Sequence, residues 1–237
     1  MQQNPKRYFV TGTGTGVGKT FVTAVLNRQL QLQGKKVLVI KPAQTGAVHL
    51  PDGSRISADL RFVENYAAEP LLLSQEEACP FLYDLAASPH LAAEGNELQI
   101  SIEAVLKHIT MLEEKYQPEV TLIEGAGGLF VPLNKDYEMM IDLIAAIDCE
   151  AVLVASATLG TLNHSLLSVE ALKTRSIAIK SLCLNGYDDS DLIARDNLAT
   201  LQKLLDCEIF TLPELPLFDT ESEASLTAID LGDTAIL

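Results

Sequence analysis

No aspartate or glutamate occurs in the first fifty residues of this 237-residue chain, although the whole carries 32 acidic against 17 basic side chains. Beyond residue 50 there are 10 Lys and Arg against 32 Asp and Glu, a net of −22. A surface of that charge repels phosphate backbones, which excludes a general nucleic-acid binder. No run of about 18 apolar residues occurs, so no membrane-spanning helix is expected. The start also lacks the apolar stretch and small-residue cleavage site of a secretory signal. The acid-free start is not read as a transit peptide, because a strand pattern begins near Arg7. Cys79, Cys149, Cys183 and Cys207 form no Cys-x-x-Cys pair and have no histidine at zinc spacing. They are read as buried free thiols of a cytoplasmic protein. Internal repeats, long flexible linkers and a Ser/Cys–His arrangement for a protein nucleophile are all missing.

What is present points to one folded domain over residues 1–237. With 48% hydrophobic and 21% charged residues, the chain is neither disordered nor fibrous and can fill a core. Tyr8-Phe9-Val10 reads as a short buried strand. Residues 20–33 have helical spacing through Val22, Val25, Leu26, Leu30 and Leu32, and stop at Gly34. Val37–Ile40 is a four-residue apolar run suited to a strand covered on both faces. Further strands are expected at 120–123, 151–155, 181–184 and 209–212, and helices at 101–116, 163–175 and 190–205. Residues 44–57 and 68–100 read as loops, and the acidic stretch 214–237 as a solvated tail or edge. The alternation predicts an α/β fold, a doubly wound and mainly parallel sheet with helices on both faces. Ligands of such sheets collect at the carboxyl ends of the strands.

The segment Gly12-Thr13-Gly14-Thr15-Gly16-Val17-Gly18-Lys19-Thr20 follows a strand and opens a helix. Glycine lets the backbone turn its N–H groups inward around phosphates. The helix N-terminus adds partial positive charge, Lys19 a full one, and the Thr20 hydroxyl suits Mg²⁺. The commonest pattern has Gly where Thr13 stands, so this is a variant phosphate loop. Lys41, in Lys41-Pro42-Ala43-Gln44-Thr45-Gly46, ends a buried strand. It either snorkels to the surface or points into a cleft with anionic company. Asp59 by itself is an ordinary helix-start acid. Glu124, before Gly125-Ala126-Gly127-Gly128, ends another strand, where a Mg²⁺-coordinating carboxylate belongs. His90, in Ser88-Pro89-His90-Leu91-Ala92-Ala93, reads as structural. Leu159-Gly160-Thr161-Leu162-Asn163-His164 opens a helix that either receives an anion or is capped by its own Thr or Asn.

In this order, GTGTGVGKT, KPAQTG, SPHLAA, EGAGG and LGTLNH resemble the dethiobiotin synthetase family across roughly residues 7–215. The resemblance implies a homodimeric phosphate-loop ligase of biotin synthesis. Such an enzyme uses ATP, Mg²⁺ and CO₂ (or bicarbonate) to close a ureido ring on 7,8-diaminononanoate. Carried onto this chain, it implies that Gly16, Val17, Gly18, Lys19, Thr20 and Phe21 hold the triphosphate, with Gly125, Ala126 and Gly127 nearby. Thr20, Asp59 and Glu124 would surround Mg²⁺. Lys41, Lys19 and Thr15 would act in catalysis, with Thr15, Lys41, Thr45 and Gly127 toward the diamine and carbamate. Asn185, Gly186, Pro213, Glu214 and Leu215 would read the base. Gly160, Thr161, Leu162 and Asn163 would take the substrate carboxylate from the partner subunit. Gly14 and Gly16 depart from family positions where an acid is common, and Gly186 replaces a frequent acidic neighbour of Asn185.

Two other readings are weaker. A partitioning-type switch ATPase would carry an additional Lys early in the phosphate loop, and positions 12–16 hold none. An amidotransferase of cobyrinate type would need a glutaminase domain, for which only about 30 residues remain past position 205.

Overall fold

The computed structural model describes residues 4–96 and 98–214. The chain begins with β1 (Lys6–Gly12), α1 (Lys19–Leu32), β2 (Val37–Ile40), β3 (Ala43–Thr45), β4 (Val48–His49) and β5 (Arg55–Ile56). There follow α2 (Ala58–Tyr66), α3 (Gln75–Ala78), β6 (Phe81–Tyr83), α4 (Pro89–Ala92), α5 (Ile102–Tyr116) and β7 (Val120–Glu124). The last third comprises α6 (Met140–Ala146), β8 (Glu150–Ser156), α7 (Thr161–Thr174), β9 (Ala178–Asn185), α8 (Leu192–Leu204) and β10 (Glu208–Leu212).

Six strands form one parallel sheet in the order β10-β9-β8-β1-β7-β2. The chain leaves β1, winds to one edge at β2, returns to β7, then crosses β1 and winds to the other edge. β1 therefore lies at the reversal point, with β7 on one side and β8 on the other, where open α/β sheets bind ligands. Phe9, Leu38, Ile40, Leu122 and Ile123 are fully buried, as continuous apolar runs covered on both faces require. Beneath the sheet's far end, Glu113 accepts from Arg7 Nη2 at 2.6 Å, from Arg7 Nε at 2.9 Å and from the Thr121 hydroxyl at 2.8 Å.

The doubly wound expectation holds, with differences in detail. The first strand reaches from Lys6 to Gly12, longer than its apolar centre. Leu32, counted as a helix-face residue, is exposed at the end of α1. Residues 44–57 and 68–100 are not plain loops. β3 pairs with β6 in a second parallel sheet, β4 with β5 in a hairpin, and α2, α3 and α4 complete the region around them. Strands of two or three residues contain no period for a sequence pattern to reveal. Helix α6 was not foreseen either; its seven residues bury Met140, Ile141, Leu143 and Ile144 in too short a run to separate helix from strand. All four cysteines are free, as read, but only Cys79 and Cys183 are fully buried. Among the described residues no helix is long and apolar enough to cross a membrane.

The crowding at the end of β7 gives a direct test. A Cβ on Gly125 would lie 2.8 Å from the Phe9 ring. Gly125→Ala is expected to cost about 1–3 kcal/mol through overpacking, measured by urea unfolding. Trimming the ring with Phe9→Leu in the same chain should make the alanine nearly neutral relative to Phe9→Leu alone.

Candidate active site

The phosphate loop connects β1 to α1. Gly18, the residue before α1, has φ +100° and forms no side-chain cap. Its left-handed conformation favours glycine, and a Cβ there would overlap the Asn185 amide. The Asn185 side chain donates to the Val17 carbonyl at 3.1 Å, so the end of β9 holds the loop from behind. Helices α2, α3, α5 and α8 are closed by Ser57, Ser74, Ser101 and Asp191 side chains. Glycine precedes α1 and α7, so neither helix start has a side-chain acceptor; the Thr161 N–H of α7 donates instead to the Thr158 carbonyl at 3.2 Å.

Lys19, the first residue of α1, is buried and donates to the Gly14 carbonyl at 2.8 Å across the loop. Burial pulls its pKa down to about 8, against the attraction of Glu124. Thr20, the next residue, donates its hydroxyl to Glu124 Oε1 at 2.8 Å.

Lys41 emerges from β2 and is 2% exposed. Its ammonium lies 2.5 Å from Asp59 Oδ2 and 2.8 Å from Glu124 Oε1. Desolvation opposes its charge, but the two carboxylates more than offset this and hold it above the ordinary lysine range. The anionic-cleft reading of Lys41 is thus the one the geometry bears out. Asp59, which alone looked like a helix-start acid, is both: it sits in the first turn of α2 and forms this ion pair.

Ser57 and Gln44 were not singled out by sequence, yet they fix α2 against β3. The buried Ser57 hydroxyl accepts from Leu60 N at 3.1 Å and donates to Gln44 Oε1 at 3.0 Å. The one available signal was its place, serine immediately ahead of a helical segment that starts at Ala58. The Lys41 backbone N–H donates to the Ala78 carbonyl of α3 at 2.9 Å, so the irregular middle of the chain buttresses the lysine.

A cleft of about 640 Å³ opens over these groups. Thr15, Gly16, Gly18, Lys19, Thr20, Lys41, Thr45, Asp59, Glu124, Gly125, Ala126 and Gly127 all line it, a dozen of the positions expected from the sequence. Ala86, Ala87, Ser88 and Pro89 close one side, and His90 next to them contributes a backbone N–H to Pro132 rather than a catalytic group. The Phe21 ring is in the core, so its backbone is the part left for a ligand. Val17 likewise packs its side chain on the core. Asn185 ends β9, with Gly186 just after it, beside the Leu212 end of β10, and Leu212 pairs with Asn185, so Pro213 and Glu214 follow at the same edge. Leu215 lies outside the described residues. Gly160, Thr161, Leu162 and Asn163 start α7 and do not line this cleft. No Thr or Asn side chain caps that helix, so the self-capped alternative does not hold.

The oxygen donors fit a hard divalent cation such as Mg²⁺. Thr20 supplies a hydroxyl and Asp59 and Glu124 carboxylates, and Glu124 Oε2 is buried with no hydrogen-bond partner among the described residues. No group of three or more His, Cys, Asp or Glu gathers as a metal site among those residues. Such a set suits an ion that draws its remaining ligands from phosphates and water. The arrangement can accept a polyphosphate along the loop and a second anion beside Lys41.

Comparison with known proteins agrees with this geometry. A family model described as an AAA domain matches residues 6–222. An ATP-dependent dethiobiotin synthetase of Lysinibacillus sphaericus is 37% identical over 98% of this chain and 97% of its own length. Another, from Clostridium novyi, is 32% identical over 86% of this chain and 85% of its own length. A third, from Haemophilus influenzae, is 36% identical over 79% of this chain and 95% of its own. The MinC:MinD cell division protein complex of Aquifex aeolicus superposes with a TM-score of 0.54 at 20% identity, covering 89% of this chain and 82% of that one. That likeness concerns the fold alone.

The depressed pKa of Lys19 sets a pH dependence. The protonated lysine attracts phosphate, so affinity for MgADP should be flat near neutrality and fall as pH rises through about 8. Calorimetric titration up to about one pH unit beyond that value should show up to roughly tenfold weakening. Lys19→Met should bind weakly with no such slope.

Proposed function

The chain belongs to the ATP-dependent dethiobiotin synthetase family, and from that premise we propose that it closes the ureido ring of dethiobiotin on 7,8-diaminononanoate with CO₂ and ATP. It is an ATP-dependent ligase forming carbon–nitrogen bonds. The observation that carries the specific reaction is the pair of buried lysines, Lys19 and Lys41, facing one cleft beside Glu124 and Asp59. Two anions must meet in the chemistry, and a site with two cations suits that need.

One amine of the substrate adds to CO₂ and loses a proton, giving a carbamate. A carbamate oxygen then attacks the γ-phosphorus in line, the bond to the β-phosphate oxygen breaks, and ADP leaves. The product is a carbamic–phosphoric anhydride. The second amine attacks its carbonyl carbon, closes the five-membered ring, loses a proton and expels phosphate. Lys19, bonded across the loop to Gly14, is held where the phosphates lie. Lys41 neutralises the meeting point of carbamate and γ-phosphate, so the protein acts mainly by alignment and charge. Bound Mg²⁺ would be held by Thr20, Asp59 and Glu124 and would offset phosphate charge. Thr15, Thr45 and Gly127 line the diamine side of the cleft, and Asn185 with Gly186 and Pro213 faces the base. The carboxylate of the substrate would be met by Gly160–Asn163 of the partner subunit in a homodimer, which gives a purpose to an uncapped helix start outside the cleft. The enzyme is read as cytoplasmic.

ADP release should require bicarbonate and 7,8-diaminononanoate together, with Mg²⁺ present. Fast ATP hydrolysis that ignores the diamine would sink this reading. Lys41→Ala should keep MgATP affinity within a few-fold by calorimetry while turnover drops about a thousandfold or more; wild-type turnover would remove Lys41 from the mechanism.

A further inference from the structure

Lys41 occupies the space between the oxygens that fit a divalent cation. Its ammonium contacts both Asp59 and Glu124, and the Thr20 hydroxyl is also engaged with Glu124 Oε1. The charges in the cleft balance: Lys19 and Lys41 offset Asp59 and Glu124. Both lysines and Glu124 are nearly inaccessible to water, so this balance is weakly screened. A bare divalent ion added here would leave two uncompensated positive charges in a desolvated site, which is costly. The same ion arriving with the phosphates of a nucleotide brings its own counter-charge.

We propose that Lys41 is a stand-in cation: its ammonium and the divalent metal are alternative counter-ions of the Glu124–Asp59 pair. Nucleotide-free protein therefore takes up a bare divalent ion poorly, and Lys41 stays withheld from substrate until a metal–nucleotide complex engages the carboxylates. The buried, unpartnered Glu124 Oε2 is the oxygen that this exchange brings into use. The inference rests on the reading of Thr20, Asp59 and Glu124 as the metal's holders. It adds an order of events: the ammonium that must meet the carbamate becomes free only when the phosphoryl donor is in place.

The test measures Mn²⁺ binding to the full chain without nucleotide, from loss of the free-ion electron paramagnetic resonance signal. Lys41→Met and Lys41→Gln should bind Mn²⁺ at least about tenfold tighter than wild type. Lys41→Met/Glu124→Gln should lose that gain. Lys19→Met removes the same charge without vacating the position between the carboxylates, and should gain clearly less than the Lys41 variants. ADP should tighten Mn²⁺ binding to wild type by a larger factor than to Lys41→Met. Equal Mn²⁺ affinity of nucleotide-free wild type and Lys41→Met, or an equal gain in Lys19→Met, overturns the proposal. If the Lys41 variants fail to fold, wild type alone decides it: Mn²⁺ affinity unchanged by ADP overturns the exchange. Absence of Mn²⁺ binding with and without ADP overturns the metal assignment beneath it. Diamine-independent ATP turnover with the Mn²⁺ pattern intact would instead overturn the proposed reaction and leave the exchange standing.

Discussion

A lysine ammonium can be shut away from water only if other parts of the chain bring it negative charge, and Lys41 shows how much structure that demands. Glu124 reaches it from the end of β7, one strand inward from β2. Asp59 reaches it from the first turn of α2, which lies outside the main sheet and must be anchored separately. The Ser57–Gln44 hydrogen bond and the seat of Lys41 on the Ala78 carbonyl provide that anchorage. Breaking a buried pair by deleting one partner leaves an uncompensated charge whose cost exceeds that of an ordinary surface change. The small second sheet and the short helices of the middle region thus serve the same centre as the large sheet.

Much of this was legible in the sequence, and the legible part follows a rule. Apolar runs such as Val37–Ile40 and Val120–Ile123 mark strands buried on both faces, and the polar residue that ends each run, Lys41 or Glu124, is the one that faces the cleft. Phosphate-loop glycines are legible for a different reason, since their spacing reflects a backbone shape that side chains prevent. Asp59 was ambiguous because a first-turn acid is favourable at any helix N-terminus, and no local pattern reveals a partner 18 residues earlier in sequence. Ser57, Gln44, Ala86 and Ala87 were missed, and Ser88-Pro89 entered only as part of a motif without a place in the cleft, because their importance lies in tertiary contacts between short elements. Phe21, carried over with the family resemblance, turns its side chain to the core and keeps only its backbone toward the loop.

The acid-free first fifty residues also acquire a place in the structure. They build β1, the phosphate loop, α1, β2, β3 and β4, and line the cleft through Thr15, Lys19, Thr20, Lys41 and Thr45. The two acids the centre needs come from later segments, where they meet Lys41 rather than the loop backbone. Similarity of the overall fold to the MinC:MinD complex at 20% identity shows that the sheet and its connections tolerate wide sequence change.

The placement of β1 between β7 and β8 divides the molecule's labour. Glu124, Asp59 and Lys41 all arrive from the half that contains β7 and β2, whereas Asn185 and the residues after β10 belong to the half built from β8, β9 and β10. The phosphate loop and the first turn of α1 touch both, through Thr20 on one side and the Val17 carbonyl on the other. Under the proposed reading, nucleotide choice and ring chemistry are therefore written in different stretches of the chain. Each is open to revision without rewriting the other, so long as the loop between them keeps its shape.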